Sequence, residues 1–258
     1  MQFKEPKVIL LAATAVEPVG IMDLVDHVGA HGWTTDAADR DADAELLVEV
    51  AGRLCYRSFA PGLNPNVTKV REGNAAYIGN ILKQHHGSVL EHATVTFAFL
   101  DISRVATHEL VRHRHLSFSQ ESLRYVRLTE LGAYKPEAFS GTDANLMVDV
   151  FEYLEEMQQE LGRRHGLDDE ASFAAKKRLT SAFRRLAPLG LTTNIIVTGN
   201  HRAWRDVIAQ RCTEHAEEEI RKVIFEAADQ LAMRFPNIYQ DMRIDAAACT
   251  ARFENERV

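Results

Sequence analysis

The run TTNIIVTGNHRAWRDVIAQR, residues 192–211, restricts what this chain can fold into more than any other stretch. Its first seven residues are mostly β-branched, which predicts a strand over Thr192 to Thr198. Gly199-Asn200 punctuate it, and a helical pattern follows over 201–211. On a helix through Trp204 to His215, the residues Trp204, Val207, Ile208, Arg211 and His215 share one stripe. A guanidinium cannot shed its proton to escape burial, so Arg211 on a core-facing stripe requires an anion or strong acceptor opposite it. Two partners meet that requirement: a carboxylate of the chain, in a buried ion pair, or a bound ligand.

The surroundings of this unit read as mixed α and β. Lys7 to Val16 is a short apolar run suited to a buried strand, and Thr94 to Phe99 alternates small or polar with large apolar residues. Helical spacing recurs over 44–58, where an Asp-rich stretch supplies an N-cap, and over 74–86, ended by Gly87. Ser103 caps a helix from Arg104 to about His113. Further helices are expected over 143–165, 169–187 and 214–234. With no repeat, low-complexity tract or linker in its 258 residues, the chain is expected to be a single α+β domain: a mixed or antiparallel sheet with several long helices.

Charge and cysteine usage narrow the function. A net charge of −7 argues against a general nucleic-acid or membrane-surface binder, so any cationic site must be local. Cys55, Cys212 and Cys249 are far apart and form no CxxC pair, which favours a reducing cytoplasm over a disulfide framework or a cysteine zinc site. No apolar run approaches a membrane span, and the start MQFKEP lacks the regions of a signal peptide.

One local cationic site stands out: RHRHLSFSQESLRY, residues 112–125. If Ser117 to Tyr125 is extended, Phe118, Gln120, Ser122 and Arg124 point to one side, placing an amide, a hydroxyl and a guanidinium on a common surface. Such a surface can hydrogen-bond a base edge and grip a phosphate, although a solvated charged face at a helix end has the same composition. On the preceding helix Glu109 and His113 are four apart, as are His108 and Arg112. The stretch His85 to His92 is histidine-rich, but its spacing matches neither HExxH nor a Cys/His finger, so no metal site is expected. There Ser88 and the backbone N–H groups of a following turn are suited to phosphate. Gly199-Asn200-His201-Arg202, at a strand-to-helix junction, favours an anionic or polar ligand. GxGxxG and GxxxxGK[ST] loops are both missing, which disfavours the Rossmann and P-loop folds.

RHRHLSFSQES fits the RHR-x7-S signature of the flavin-dependent thymidylate synthases, with Arg112, His113, Arg114 and Ser122 at the fixed positions. HGSVLEH at 86–92, Arg184 ahead of Ala187-Pro188, TGNHRAWR at 198–205 and QRCTEHAEEEIR at 210–221 resemble further blocks of that family, in the family's order. Together they cover most of residues 45–235. The resemblance implies a homotetramer with FAD sites between subunits. It implies conversion of dUMP to dTMP, with methylenetetrahydrofolate as carbon donor and NADPH as reductant, and no nucleic-acid or membrane partner.

Carried over by position, the resemblance puts Arg112, His113 and Arg114 on FAD, with Ser88, Gln120, Asn200, His201, Arg202 and Asp206 also toward the flavin nucleotide. It puts Glu109, Leu110, Val111, Arg112, Gln120, Glu121, Ser122, Leu123, Arg124, Arg184 and Arg211 around dUMP, and His86, counted with the substrate-binding residues, near the flavin and folate. The arginine matching Arg211 is the catalytic group, polarising the pyrimidine. Gln120 stands where many relatives have glutamate, and Asp206 where relatives have asparagine or histidine. A classical thymidylate synthase activates the ring by adding a cysteine to C6. Cys212 is a poor candidate for that role, since a helical neighbour of Arg211 points about 100° away from it. Ser122 lacks a clearly placed base, so it is read as a binder.

Overall fold

The computed structural model describes residues 1–38, 42–126, 132–170, 172–256 and 258. Four strands, β1 (Lys7–Ala13), β2 (Thr94–Ser103), β3 (Ser117–Gln120) and β4 (Thr192–Asn200), pair antiparallel in the spatial order β1-β2-β4-β3. The period-2 pattern explains the sheet's sidedness. Val95, Phe97 and Phe99 of β2 are buried, as are Ile195 and Val197 of β4, while Ile196 between them faces outward. On the opposite face the Thr96 and Thr198 hydroxyls meet across the ladder at 2.9 Å. β2 runs past the expected Phe99 to Ser103, through an irregularity between Phe99 and Ile102 where Asp101 adopts a positive φ of 53°. β3 is far shorter than an extended Ser117–Tyr125 would be. The chain turns after Glu121, so Phe118 and Gln120 share a face as expected but Ser122 and Arg124 leave the strand.

Helices α2 (Asp43–Tyr56), α3 (Asn74–Lys83), α7 (His201–Arg211) and α8 (Glu218–Arg234) feed the main apolar core. The N-cap of α2 is Ala42 rather than an aspartate; Asp43 sits inside the first turn, where its charge suits the helix dipole, and accepts the Val16 N–H at 3.0 Å. Asp39 and Asp41 of the Asp-rich stretch lie outside the described residues. α3 ends at Lys83, before Gly87, which instead opens a 3₁₀ turn over Gly87–Glu91. α8 begins at Glu218, later than expected, because Glu217 caps it by accepting from the Glu219 and Ile220 N–H groups.

The two remaining regions sit beside this core. α1 (Pro18–His27) packs on α2 through a small cluster containing Val25, Ala30, Leu46, Val50 and Phe59. α5 (Thr142–Arg164) contributes Phe151 to a third cluster with Ala133 and Leu191, and α6 (Phe173–Phe183) lies against α5, with a 3₁₀ turn Arg184–Leu186 after it. The stretch after Tyr239 forms a hairpin of β5 (Met242–Asp245) and β6 (Thr250–Phe253) that braces α7 from behind. There Arg205 forks onto Asp241 at 2.8 and 3.0 Å with its guanidinium 3.9 Å from the Phe253 ring centroid. Among the described residues no helix is long and apolar enough to cross a membrane. The α+β class and antiparallel sheet agree with the expectation from sequence.

Candidate active site

α4 (Arg104–Leu110) carries the first functional group and is anchored at its start. Ser103 is its N-cap, as its sequence position predicts: the hydroxyl accepts the Ala106 N–H at 3.2 Å. Ser103 itself donates to the buried carboxylate of Glu219, its N–H at 2.5 Å and its hydroxyl through a second bond. Burial raises the Glu219 carboxyl to about 7. α4 is thereby clamped to the first turn of α8. It ends at Leu110, three residues short of the expected His113, so Glu109 and His113 do not meet as a helical pair.

They meet instead on Arg211. Its Nη1 donates to Glu109 Oε2 at 2.6 Å, and its Nη2 lies 3.4 Å from the Glu109 carbonyl oxygen. Its Nε donates to His113 Nε2 at 3.0 Å. α7 ends at Arg211, so the stripe stops there: Trp204, Val207 and Ile208 are buried, Arg211 emerges half-buried, and His215 lies beyond the helix. The carboxylate that its stripe position demands is therefore Glu109, from another element. Because a guanidinium only donates, His113 Nε2 must be an acceptor, which makes the imidazole neutral with its proton on Nδ1. Nδ1 faces Asp206 Oδ2 at 3.8 Å. Burial and then the Arg211 charge lower the His113 pKa, outweighing the opposing pull of Asp206 and Glu109.

A second group surrounds the turn after β3. Arg104, Gln120, Glu121, Ser122, Arg184 and Arg185 line a cavity of about 450 Å³, together with Leu123. Ser122 Oγ accepts the Arg124 N–H at 3.3 Å, and Gln120 Nε2 reaches the Thr107 hydroxyl at 3.4 Å. The Glu121 carboxylate is engaged by Asn194, whose N–H and side-chain amide donate at 3.0 and 2.8 Å. Arg124 faces a different cavity, between this turn and helices α5 and α6. Two contacts join this group to α4: Arg104 Nη2 donates to the Glu121 carbonyl at 3.3 Å, and Gln120 Nε2 to the Thr107 hydroxyl; neither Arg211 nor Glu109 lines the cavity.

Arg104 and Arg185 escaped the sequence reading. Arg104 is a cation in the first turn of a helix, where the dipole disfavours positive charge, and that conflict was a signal that an anion belongs nearby. Its Nε is buried without a hydrogen-bond partner, and burial foremost lowers its pKa, with Arg184 adding to the effect.

The remaining candidates scatter. Arg112 and Arg114 are exposed on either side of His113. Leu110 is buried in the main core, whereas Val111 is exposed. His86 stacks on Tyr56 with ring centroids 5.7 Å apart, beside a cavity of about 570 Å³. Ser88 is exposed in the 3₁₀ turn, and Arg202 pairs with Glu91 at 2.6 Å. Asn200 spends its side-chain oxygen as the α7 N-cap, accepting from the Ala203 N–H at 2.8 Å. His201 is fully buried: Nδ1 meets the Tyr239 hydroxyl at 3.1 Å, the ring abuts Phe235, and burial pushes its pKa down to about 3. Its ring packs between Tyr239 and Phe235, with Nε2 buried and without a hydrogen-bond partner. Asp206 is exposed and accepts from Gln210 at 2.8 and 2.9 Å. Cys212 turns into the core, where burial pushes its thiol up to about 12.

An antiparallel α+β chain with an arginine held between a carboxylate and a neutral histidine, and with a cavity walled by three further arginines, has the equipment of an anion-handling enzyme. The family model described as "Thymidylate synthase complementing protein" matches residues 38–237. The flavin-dependent thymidylate synthase of Mycobacterium tuberculosis is 39% identical over 223 residues, covering 84% of this chain and 85% of that one. A probable flavin-dependent thymidylate synthase of Mycobacterium phage D29 is 41% identical over 243 residues, covering 92% and 96%. This chain belongs to the flavin-dependent thymidylate synthase family. Its fold is shared with the UMP/dUMP methylase PolB from Streptomyces cacaoi, whose crystal structure contains 5-Br UMP, at a TM-score of 0.60 and 18% identity over 93% of this chain and 95% of that one.

Proposed function

We propose that this chain methylates dUMP to dTMP reductively, with methylenetetrahydrofolate as carbon donor and NADPH as reductant, as a cytoplasmic homotetramer. The observation that carries the reading is the fork of Arg211, fixed by Glu109 and His113. A guanidinium held at both ends meets a ring that gains negative charge without having to reorganise, which is the condition for electrostatic activation. Relatives named flavin-dependent thymidylate synthases support the substrate and the flavin.

The phosphate of dUMP is assigned to the cavity of Arg104, Ser122, Arg184 and Arg185, where fixed donors match phosphate oxygens. Arg211 is not among the described residues that line that cavity. A second subunit is proposed to bring its cavity to the Arg211 of the first. The donor set also fits FAD: Arg112 and Arg114 lie exposed on one short turn, and Ser88 adds a hydroxyl and Arg202 a further charge, a set suited to a phosphate-bearing nucleotide. FAD would supply hydride transfer. His113 holds its proton on Nδ1, Glu109 keeps the Arg211 fork aimed, and Cys212 contributes no thiolate.

The test is turnover by the FAD-loaded protein: dTMP formed, and NADPH oxidised in step with dUMP and methylenetetrahydrofolate. NADPH oxidation with no dTMP at saturating substrates would overturn the assignment.

A further inference from the structure

The run Glu217-Glu218-Glu219 stands at the start of α8, and its carboxylates serve three different parts of the fold. Glu217 caps the helix, accepting the Glu219 and Ile220 N–H groups at 3.0 and 3.1 Å. Glu218 reaches the segment ahead of α5, accepting from the Tyr134 hydroxyl at 3.3 Å and the Glu137 N–H at 2.7 Å. Glu219 turns inward to Ser103, and both residues are 1% exposed.

The Ser103–Glu219 contact closes a ring of links around Arg211. Arg211 is the last residue of α7, and the connection from there to α8 is pinned along its length. The Cys212 carbonyl accepts the Ala251 N–H at 3.0 Å, the Ala216 N–H donates to the Thr213 carbonyl at 3.1 Å, and Glu217 caps the next helix. Glu219 then holds Ser103, the cap of α4, and near the far end of α4 Glu109 returns to Arg211 at 2.6 Å. Other backbone ties of α4 lead elsewhere: the Arg104 and Val105 N–H groups donate to the Leu191 and Leu189 carbonyls at 3.1 and 3.2 Å, ahead of β4. Without Glu219, α4 keeps those ties but loses the one at its start to the helix pair that carries Arg211.

We propose that Glu219 is a positioning residue for the assigned reaction: by holding Ser103 it sets α4 against the α7–α8 connection, and so aims the Glu109 carboxylate at Arg211. Holding a cap does not by itself require a charge. A hydroxyl or amide also accepts, whereas a carboxylate taken out of water is costly. Burial, with the charges of Glu217 and Glu218 added, outweighs the two Ser103 bonds and raises this carboxyl to about 7. What the carboxylate adds is two acceptor oxygens in one plane, Oε1 for the Ser103 N–H and Oε2 for its hydroxyl, which fix the residue in orientation as well as place. The role in turnover rests on the reading of Arg211 given above; the positioning of Arg211 does not.

The experiment compares variants of the FAD-loaded protein. Glu219→Ala is expected to lower kcat about tenfold or more with the NADPH KM unchanged, because a displaced fork loses charge stabilisation in the transition state. Glu219→Gln, which keeps an acceptor for the Ser103 N–H, should recover part of that loss. On the residual turnover of Glu109→Gln, where the fork is already loosened, adding Glu219→Ala should cost no more than about twofold. A readout free of turnover is the His113 pKa, followed by NMR on labelled histidine and assigned through His113→Gln. The Arg211 charge helps to hold that pKa down, so releasing Arg211 raises it, whereas deleting a carboxylate elsewhere lowers it. A rise in Glu219→Ala, together with the coupled loss of kcat, supports the inference. A rise in a protein whose wild type makes no dTMP retires the reaction and leaves the positioning of Arg211 standing. An unmoved or lowered His113 pKa, a wild-type kcat per folded molecule, or the full loss repeated on Glu109→Gln overturns it.

Discussion

Replacing His201 by glutamine should flatten the acid side of the stability curve by a predictable amount. His201 is fully buried with its pKa down to about 3, against about 6.5 in an unfolded chain. Above pH 6.5 both states hold a neutral imidazole. Below it the unfolded chain binds a proton that the folded one refuses, so stability falls as pH falls, from 6.5 down to about 3. One proton costs about 1.4 kcal/mol per pH unit, so at pH 5 this residue alone removes about 2 kcal/mol relative to pH 7.5. Glutamine keeps a partner for the Tyr239 hydroxyl and cannot titrate. Other groups, Glu219 among them, titrate alike in both proteins and cancel in the comparison. The assay is urea unfolding of wild type and His201→Gln at pH 7.5 and 5.0. The stability difference between them should shift by about 2 kcal/mol in favour of the variant on acidification. Parallel curves would show that the imidazole is accessible and charged in the folded protein, and would return His201 to the flavin candidates.

Arg211→Ala and Arg184→Ala should each be inactive, and co-refolding the two should restore part of the wild-type turnover if one subunit supplies Arg211 and another Arg184; no recovery would confine the site to one chain. dUMP affinity should fall on the acid side, below the ordinary histidine range, as His113 protonates and stops accepting from Arg211; Asp206→Ala, which removes a charge that raises the His113 pKa, should move that limb to lower pH in a binding titration. Cys212→Ala should keep its turnover and lose about 1 kcal/mol of stability by thermal unfolding, since a buried, protonated thiol packs without reacting.

The sequence announced those parts whose physics is local. The β-branched run of β4, the alternation in β2, the Ser103 cap and the Trp204-Val207-Ile208-Arg211 stripe each follow from residues within a few positions of one another, and each is seen. Arg211's need for a carboxylate was legible too, but the partner's identity was not: Glu109 is about a hundred residues away, and the ladder joining β2 to β4 brings it there. Local pattern misled where tertiary contacts overrode it. An extended Ser117 to Tyr125 would have put Phe118, Gln120, Ser122 and Arg124 on one side, yet pairing with β4 stops at Gln120, and the Thr180 hydroxyl draws Arg124 to α6. The packing of His201 was equally out of reach, since nothing nearby in sequence reveals that Tyr239 and Phe235 close over it.

Gly199 sits where β4 gives way to α7, and a methyl group built there would lie 2.3 Å from Leu116 Cδ2 and 3.3 Å from the Trp204 indole nitrogen. Leu116 is the apolar foot of the turn that displays Arg112 and Arg114. The height at which that turn rides over the sheet is therefore set by a missing side chain. A designer who wished to lift the arginines by a fraction of an ångström, without touching them, would begin with alanine at this position.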